Sequence, residues 1–154
     1  MTTLKQIQTF LGRHRIAVVG VSRNPKDFTR SLFNELRDRQ YDVVPVNPEV
    51  AEVDGLRCYA HVSEIQPPVE AALLMTKPAV TGTVVRDCQT AGVKDIWMYR
   101  ATGAGAVDVD AVAFCQSNGM EVVAGECPFM FLPETGFIHR FHGWCRKVTG
   151  SYPK

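Results

Sequence analysis

Five short apolar runs alternate with amphipathic stretches along most of the chain. The runs lie at 15–21, 43–46, 71–76, 95–99 and 120–124. Apolar runs of this length, bounded by turn-forming residues, predict strands that are covered on both faces. Strands that alternate with helices build right-handed βαβ units and a parallel sheet. We therefore expect an α/β fold with five parallel strands and helices on both faces of the sheet.

The stretches around these runs carry apolar residues at helical spacing. They predict helices at 4–11, 28–40, 78–92 and 109–119. Pro78 suits the first turn of its helix, where a backbone N–H is not needed. The pattern predicts one domain over 1–154, a single-domain Rossmann-like, doubly wound sheet, with its core at 15–128 and a C-terminal extension at 129–154.

The composition excludes several classes of protein. The 154 residues include 17 Lys and Arg against 16 Asp and Glu, and 45% of them are hydrophobic. A duplex nucleic-acid surface usually needs a large basic excess, and a membrane helix needs about 20 apolar residues in a row. The five cysteines are odd in number and form no C-x-x-C motif. We expect a cytoplasmic protein with reduced thiols and with no nucleic-acid or membrane partner.

The near-zero net charge is an average over unlike segments. Residues 13–40 contain seven Lys and Arg against three Asp and Glu, whereas 41–138 contain five against thirteen. The positive segment surrounds the loop that follows the first predicted strand. The sequence therefore leaves room for a local anion site.

That loop, Gly20–Lys26, is the first candidate for a ligand site, because ligands of such sheets bind at the carboxyl ends of the strands. Gly20 allows close backbone approach, Ser22 offers a hydroxyl, and the following helix is expected to present free N–H groups and a positive dipole end. Three cations lie around it: Arg23, Lys26 and Arg30. We interpret the loop as a pyrophosphate cradle, although only the first glycine of the G-x-G-x-x-G fingerprint is present.

The end of the second strand bears on the choice of nucleotide. An enzyme that uses NAD wants an acidic residue there to hold the ribose hydroxyls, and this chain has Asn47-Pro48, followed by Glu49. A ribose that carries an extra phosphate therefore fits better than the ribose of NAD. NADP and coenzyme A both satisfy this condition.

Four short motifs, in one consistent order along the chain, resemble those of one protein family. They lie at the ends of predicted strands and read Gly20-Val21-Ser22, Val46-Asn47-Pro48, Thr76-Lys77-Pro78 and Cys127-Pro128. These motifs belong to the first, second, third and fifth strands, and they resemble the small bacterial CoA-binding proteins, which are similar to the CoA-binding domain of the succinyl-CoA synthetase alpha subunit. The resemblance spans roughly residues 15–128.

The resemblance implies a role for each motif. Val21, Ser22 and Arg23 would cradle the pyrophosphate, and Asn47 and Pro48 would line the adenosine side. Thr76, Lys77 and Pro78 would flank the adenine or the pantetheine entrance, with Tyr99 and Arg100 along the pantetheine path. The synthetase subunit has a lysine after strand two that this chain lacks, so Arg23, Lys26, Arg30 or Lys77 would have to meet the 3′-phosphate.

The resemblance also implies binding rather than ligation. The synthetase subunit does its chemistry on a phosphorylated histidine in a separate downstream domain, and we expect no such domain in this chain. We expect non-catalytic binding of coenzyme A or an acyl-CoA, with no catalytic residues. Two alternatives stay open: an NADP-dependent oxidoreductase with Tyr99 as proton donor, and an accessory or regulatory subunit of an acyl-CoA ligase.

Two other features invite a chemical interpretation. Cys127 could face a ligand and form a mixed disulfide, but we expect a buried thiol whose pKa is raised by Glu126 beside it. The extension contains His139, His142 and Cys145 at three-residue spacing, without a fourth zinc ligand. We therefore predict no metal site and expect the aromatic extension to dock on its own sheet or form a homodimer contact.

Overall fold

The computed structural model of the chain describes residues 1–101, 103–133 and 153. Within that part, strands and helices follow one another in the predicted alternation. The elements in chain order are α1 (Leu4–Leu11), β1 (Arg15–Val19), α2 (Phe28–Asp38), β2 (Asp42–Val46), β3 (Glu52–Val53), β4 (Leu56–Arg57), β5 (Ala71–Leu74), α3 (Pro78–Thr90), β6 (Asp95–Tyr99), α4 (Val109–Ser117) and β7 (Glu121–Glu126). Two 3₁₀ turns lie at Val62–Glu64 and Pro128–Met130.

The main sheet confirms the predicted fold class. Its five strands are parallel and run in the order β2-β1-β5-β6-β7. The chain moves from β1 outward to β2 and then returns to the other side of β1, so strand order reverses between β1 and β5. Such a reversal opens a crevice at the carboxyl ends of the strands, because the two neighbouring connections leave on opposite faces.

The helices form two layers with separate cores. Side chains of α1 and α2 pack with Ile16, Val18 and Leu73 on one face of the sheet. Side chains of α3 and α4 pack with Ala17, Leu74 and others on the opposite face. Consecutive strand residues point to opposite faces, and central strands covered in this way have no polar face, which explains their continuous apolar runs.

Several strand ends differ from the sequence-based bounds. β1 ends at Val19 rather than at residue 21, and β5 ends at Leu74 rather than at residue 76. The turn begins at Gly20, whose φ is +93°, a value that ends a strand and favours glycine. β7 instead extends two residues further than predicted, to Glu126.

The short hairpin of β3 and β4 was not predicted. Its turn residues Asp54 and Gly55 both have positive φ, 48° and 79°. An Asp-Gly pair is a strong sequence signal for a tight hairpin turn, but the flanking strands have only two residues each. They are too short to show an alternating pattern of their own.

Candidate functional site

A cavity of about 410 Å³ opens where the strand order reverses. Its volume lies in the range of small-molecule sites, roughly 300–1,000 Å³. The ends of β1, β2 and β5, the 3₁₀ turn at Val62–Glu64 and the first turns of α3 form its wall. The lining residues are Val19, Gly20, Val46, Asn47, Pro48, Glu49, Ala60, His61, Val62, Thr76, Lys77, Val80, Thr83, Val84 and Asp87.

Gly20 sets the distance between two edges of this cavity. Its N–H donates to Val46 O at 2.9 Å, and the N–H of Met75 donates to Val19 O at 2.9 Å. A Cβ at position 20 would lie 2.6 Å from the Met75 carbonyl oxygen. Only glycine combines this approach with a φ of +93°, so the residue keeps the ends of β1 and β5 in contact.

Several backbone N–H groups of the loop after β1 donate hydrogen bonds within the loop or to the first turn of α2. The N–H of Ser22 donates to Thr29 Oγ1 at 2.9 Å, that of Asn24 to Ser22 Oγ at 3.1 Å, and that of Lys26 to Asn24 Oδ1 at 3.0 Å. The Asp27 carboxylate caps α2 by accepting from the N–H of Thr29 at 2.9 Å. One of the N–H groups that were expected to be free at this helix end is therefore already engaged, and the capping residue is acidic.

Arg30 lies behind this loop and not in the cavity. Its residue surface is only 6% exposed, and its Nη1 donates to the carbonyl oxygens of Ser22 and Arg23, each at 3.2 Å. Its other terminal nitrogen pairs with Asp54 in the hairpin turn, and this pairing lowers the pKa of that carboxyl. Arg30 thus braces the loop through protein atoms, and its predicted contact with a ligand phosphate stays a prediction.

Asn47 joins the loops that follow β1 and β2. Its Nδ2 donates to Val21 O at 2.9 Å, and its Oδ1 accepts from the N–H of Glu49 at 2.9 Å. An amide side chain can serve a donor and an acceptor at once, whereas a carboxylate could not donate to Val21. The absence of an acidic residue at the end of strand two thus has a structural reason as well as the ligand-based one.

The charges at the rim of the cavity nearly balance. Arg23 lies 3.7 Å from Glu49, and both side chains are about three-quarters exposed. Lys77 is exposed at the start of α3. The Asp87 carboxylate accepts from the N–H of Val62 at 2.6 Å and from the hydroxyl of Ser63, and so fixes the 3₁₀ turn to α3. The deeper lining is largely valine and proline, which suits a flat heterocycle.

Five of the thirteen predicted site residues line the cavity: Gly20, Asn47, Pro48, Thr76 and Lys77. Val21 is fully buried beneath the loop. Ser22, Arg23 and Lys26 stand on the loop beside the cavity, and Pro78 begins α3. Sequence reasoning missed the wall formed by Ala60, His61, Val62, Val80, Thr83, Val84 and Asp87.

Tyr99 and Arg100 lie apart from this cavity. The Tyr99 ring stacks on Phe28 with centroids 5.3 Å apart, on the α2 side of the sheet. Burial raises the pKa of Tyr99 to about 12, which disfavours the proton-donor role of the oxidoreductase alternative. The Arg100 guanidinium lies over Gly125, where an added Cβ would meet Nη2 at 2.7 Å.

Cys127 is 5% exposed, and burial raises the pKa of its thiol, with a smaller contribution from Glu126. The predicted buried thiol is thus what the structure shows. No group of three or more potential metal ligands occurs among the described residues. His139, His142, Cys145 and most of the extension lie outside those residues, and so does its predicted homodimer contact. None of the helices in the described part is long and apolar enough to cross a membrane.

A doubly wound parallel sheet with a cavity at the point where the strand order reverses defines a Rossmann-like class of α/β domain. Residues 14–133 match the family of the CoA binding domain. The chain therefore belongs to this CoA-binding family, as its motifs indicated.

Individual relatives agree with this assignment. The ADP-forming acetate–CoA ligase II subunit alpha of Pyrococcus furiosus is 28% identical over 126 residues, which cover 77% of this chain and 27% of the subunit. A hypothetical protein from Pyrococcus horikoshii OT3 has a TM-score of 0.75 and 28% identity, with 83% of this chain and 87% of that one covered.

A larger enzyme contains the same fold. The dinucleotide-forming acetyl-coenzyme A synthetase 1 of Ca. Korarchaeum cryptofilum has a TM-score of 0.64 and 28% identity, with 73% of this chain but only 25% of that chain covered. The chain thus spans about a quarter of the length of the P. furiosus ligase subunit. The similarity covers about a quarter of each of these two proteins and not their whole length.

Proposed function

We propose that this chain binds coenzyme A or an acyl-CoA without catalysing a reaction on it. The observation that carries the proposal is the largely apolar cavity at the reversal point of a CoA-binding-family sheet. Ligands of such sheets lie outside the carboxyl ends of the strands. The adenosine end of CoA enters the cavity between Pro48, Val62 and Val84, where apolar side chains contact the base.

The phosphates lie at the rim, next to the loop after β1. Arg23 and Lys26 on that loop and Lys77 at the start of α3 supply the positive charge. Ligand phosphate takes the place of the Glu49 carboxylate beside Arg23, a small loss because an exposed ion pair contributes roughly 0–1 kcal/mol. Arg30 holds the loop from behind through the carbonyls of Ser22 and Arg23. The pantetheine arm leaves towards Tyr99 and Arg100.

Calorimetric titration with CoA, dephospho-CoA, NADP and NAD tests this proposal. We expect CoA to bind more tightly than NADP and NAD, and dephospho-CoA more weakly than CoA. Tighter binding of NADP than of CoA would overturn the proposal in favour of the oxidoreductase alternative. The alternative role, as an accessory subunit of an acyl-CoA ligase, requires a partner protein. The cytoplasmic location and the homodimer stay predictions.

A pair of matched variants tests the cationic rim. Lys77→Ala removes an exposed cation at the cavity, and Lys94→Ala removes an exposed cation between α3 and β6, at the opposite end of the sheet. We expect Lys77→Ala and Arg23→Ala each to weaken CoA binding about 3- to 10-fold, the loss of one charge-assisted contact at a partly solvated site. Lys94→Ala should bind CoA as the parent does, and all three should melt near the parent temperature without ligand.

A further inference from the structure

A buried hydroxyl connects the cavity wall to the loop between β6 and α4. Thr81 on α3 is fully buried. Its Oγ1 lies 2.8 Å from Ala106 O, 2.8 Å from Thr76 Oγ1 and 3.2 Å from Lys77 O. Thr81 does not line the cavity, whereas Thr76 does. The three oxygen atoms around Thr81 restrict where its single proton points.

The proton positions follow from the chemistry of the partners. A hydroxyl has one proton to donate and two lone pairs to accept. The carbonyl oxygens of Ala106 and Lys77 can only accept, so Thr81 donates to a carbonyl, and Ala106 at 2.8 Å is the nearer one. If Thr81 donated its proton to Thr76 instead, Thr81 Oγ1 and Ala106 O would face each other at 2.8 Å without a proton between them. Thr76 must therefore donate its proton to Thr81.

This arrangement fixes the polarity of the Thr76 hydroxyl, and Thr76 is one of the residues that line the cavity. The proton of the Thr76 hydroxyl is already engaged, so Thr76 Oγ1 can only accept a hydrogen bond from a ligand, through its lone pairs. We infer that Thr76 is a hydrogen-bond acceptor for the exocyclic amino group of the bound purine, and that Thr81 is the positioning residue that holds it in this state. The inference rests on the proposed function, in which the adenosine end of CoA enters the cavity.

The consequence is selection of an aminopurine over an oxopurine. Adenine presents an amino group to Thr76 Oγ1, whereas hypoxanthine presents a carbonyl oxygen that would face a lone pair. Hypoxanthine would lose this hydrogen bond and leave two acceptor oxygens facing each other without a proton between them. The base preference expected from this contact is therefore about 10-fold or more.

Titration with adenosine 3′,5′-bisphosphate and inosine 3′,5′-bisphosphate tests this inference, with CoA titrated in parallel. The readout is the ratio of the two affinities within each variant, because a general change in folding or loop order affects both nucleotides alike. The parent should prefer the adenine nucleotide by about 10-fold or more. Thr81→Ser keeps the hydroxyl and should keep this preference.

Thr81→Val and Thr76→Val should reduce the preference to below about 3-fold, since each removes the oriented acceptor. Thr90→Val is the matched control, because Thr90 lies on the same helix and its hydroxyl donates only to Arg86 O at 3.1 Å. That variant should keep the full ratio. CoA binding with equal affinities for the two bisphosphates would overturn the inference and leave the proposed function standing. An unchanged ratio in Thr81→Val would likewise overturn it, and absence of CoA binding would overturn both.

Discussion

Replacement of Gly20 by alanine tests the geometry that joins β1 to β5 at the cavity. The new Cβ would lie 2.6 Å from Met75 O and 3.0 Å from Met75 C, both backbone atoms that cannot rotate away. The φ of +93° costs an alanine about 1–2 kcal/mol, and the overlap costs about 1–3 kcal/mol more. We expect the free energy of unfolding to fall by about 2–5 kcal/mol.

Thermal and urea unfolding without ligand measure this loss. At about 2–4 °C per kcal/mol for a chain of this size, the melting temperature should fall by about 4–20 °C. Gly82→Ala is the matched control, because Gly82 lies within α3 and has no positive φ. A Cβ at position 82 would point into open space. Alanine there should stabilise the protein by up to about 1 kcal/mol, through its higher helix propensity.

The two substitutions add the same methyl group and should act in opposite directions. Relief of the clash at position 20 requires the loop after β1 to move from the end of β5, so Gly20→Ala should also weaken CoA binding. Equal melting temperatures for Gly20→Ala and Gly82→Ala would refute the argument from close approach. A destabilised Gly20→Ala protein with parental CoA affinity would show that this edge is not part of the binding site.

Three further predictions concern charge, thiols and a helix end. Arg30 lowers the pKa of Asp54 in the folded state, so this carboxylate stabilises the fold near neutral pH and loses its effect as the pH falls through that pKa. Asp54→Asn should therefore have a lower urea midpoint than the parent at pH 7. A difference in urea midpoint of the same size at pH 3 would contradict this prediction. Burial raises the pKa of the thiols of Cys58, Cys88, Cys115 and Cys127. In a Cys145→Ser protein, Ellman's reagent should therefore react slowly with the folded chain and fully after denaturation. Rapid reaction of one thiol in the folded chain would contradict this prediction. The Asp108 carboxylate caps α4 by accepting from the N–H of Ala111 at 2.7 Å. Asp108→Ala should therefore lower the free energy of unfolding, measured with urea, by about 1 kcal/mol. A decrease no larger than that caused by Asp110→Ala, at an exposed position of the same helix, would argue against the cap.

The order of helices and strands and the CoA-binding family could both be predicted from the sequence. Hydrophobic periodicity is a local property, and the buried strands of a parallel sheet display it strongly. Asp95–Tyr99 was predicted with its observed bounds, because a charged residue and a following loop delimit it. Gly20 and Asn47 were assigned to the site because each directly follows an observed strand, and the carboxyl ends of parallel strands meet at one edge; Thr76 was assigned from the family resemblance.

Only the tertiary structure decided which neighbouring residues face the ligand cavity. Val80 and Val84 carry the apolar spacing of a core helix, and their place in the cavity depends on where α3 meets the 3₁₀ turn at Val62–Glu64. Arg30 counted as a phosphate ligand by its charge and position, yet it is buried against Asp54, a residue 24 positions away. Sequence position places a side chain on an element, whereas its direction and partners depend on contacts between distant segments.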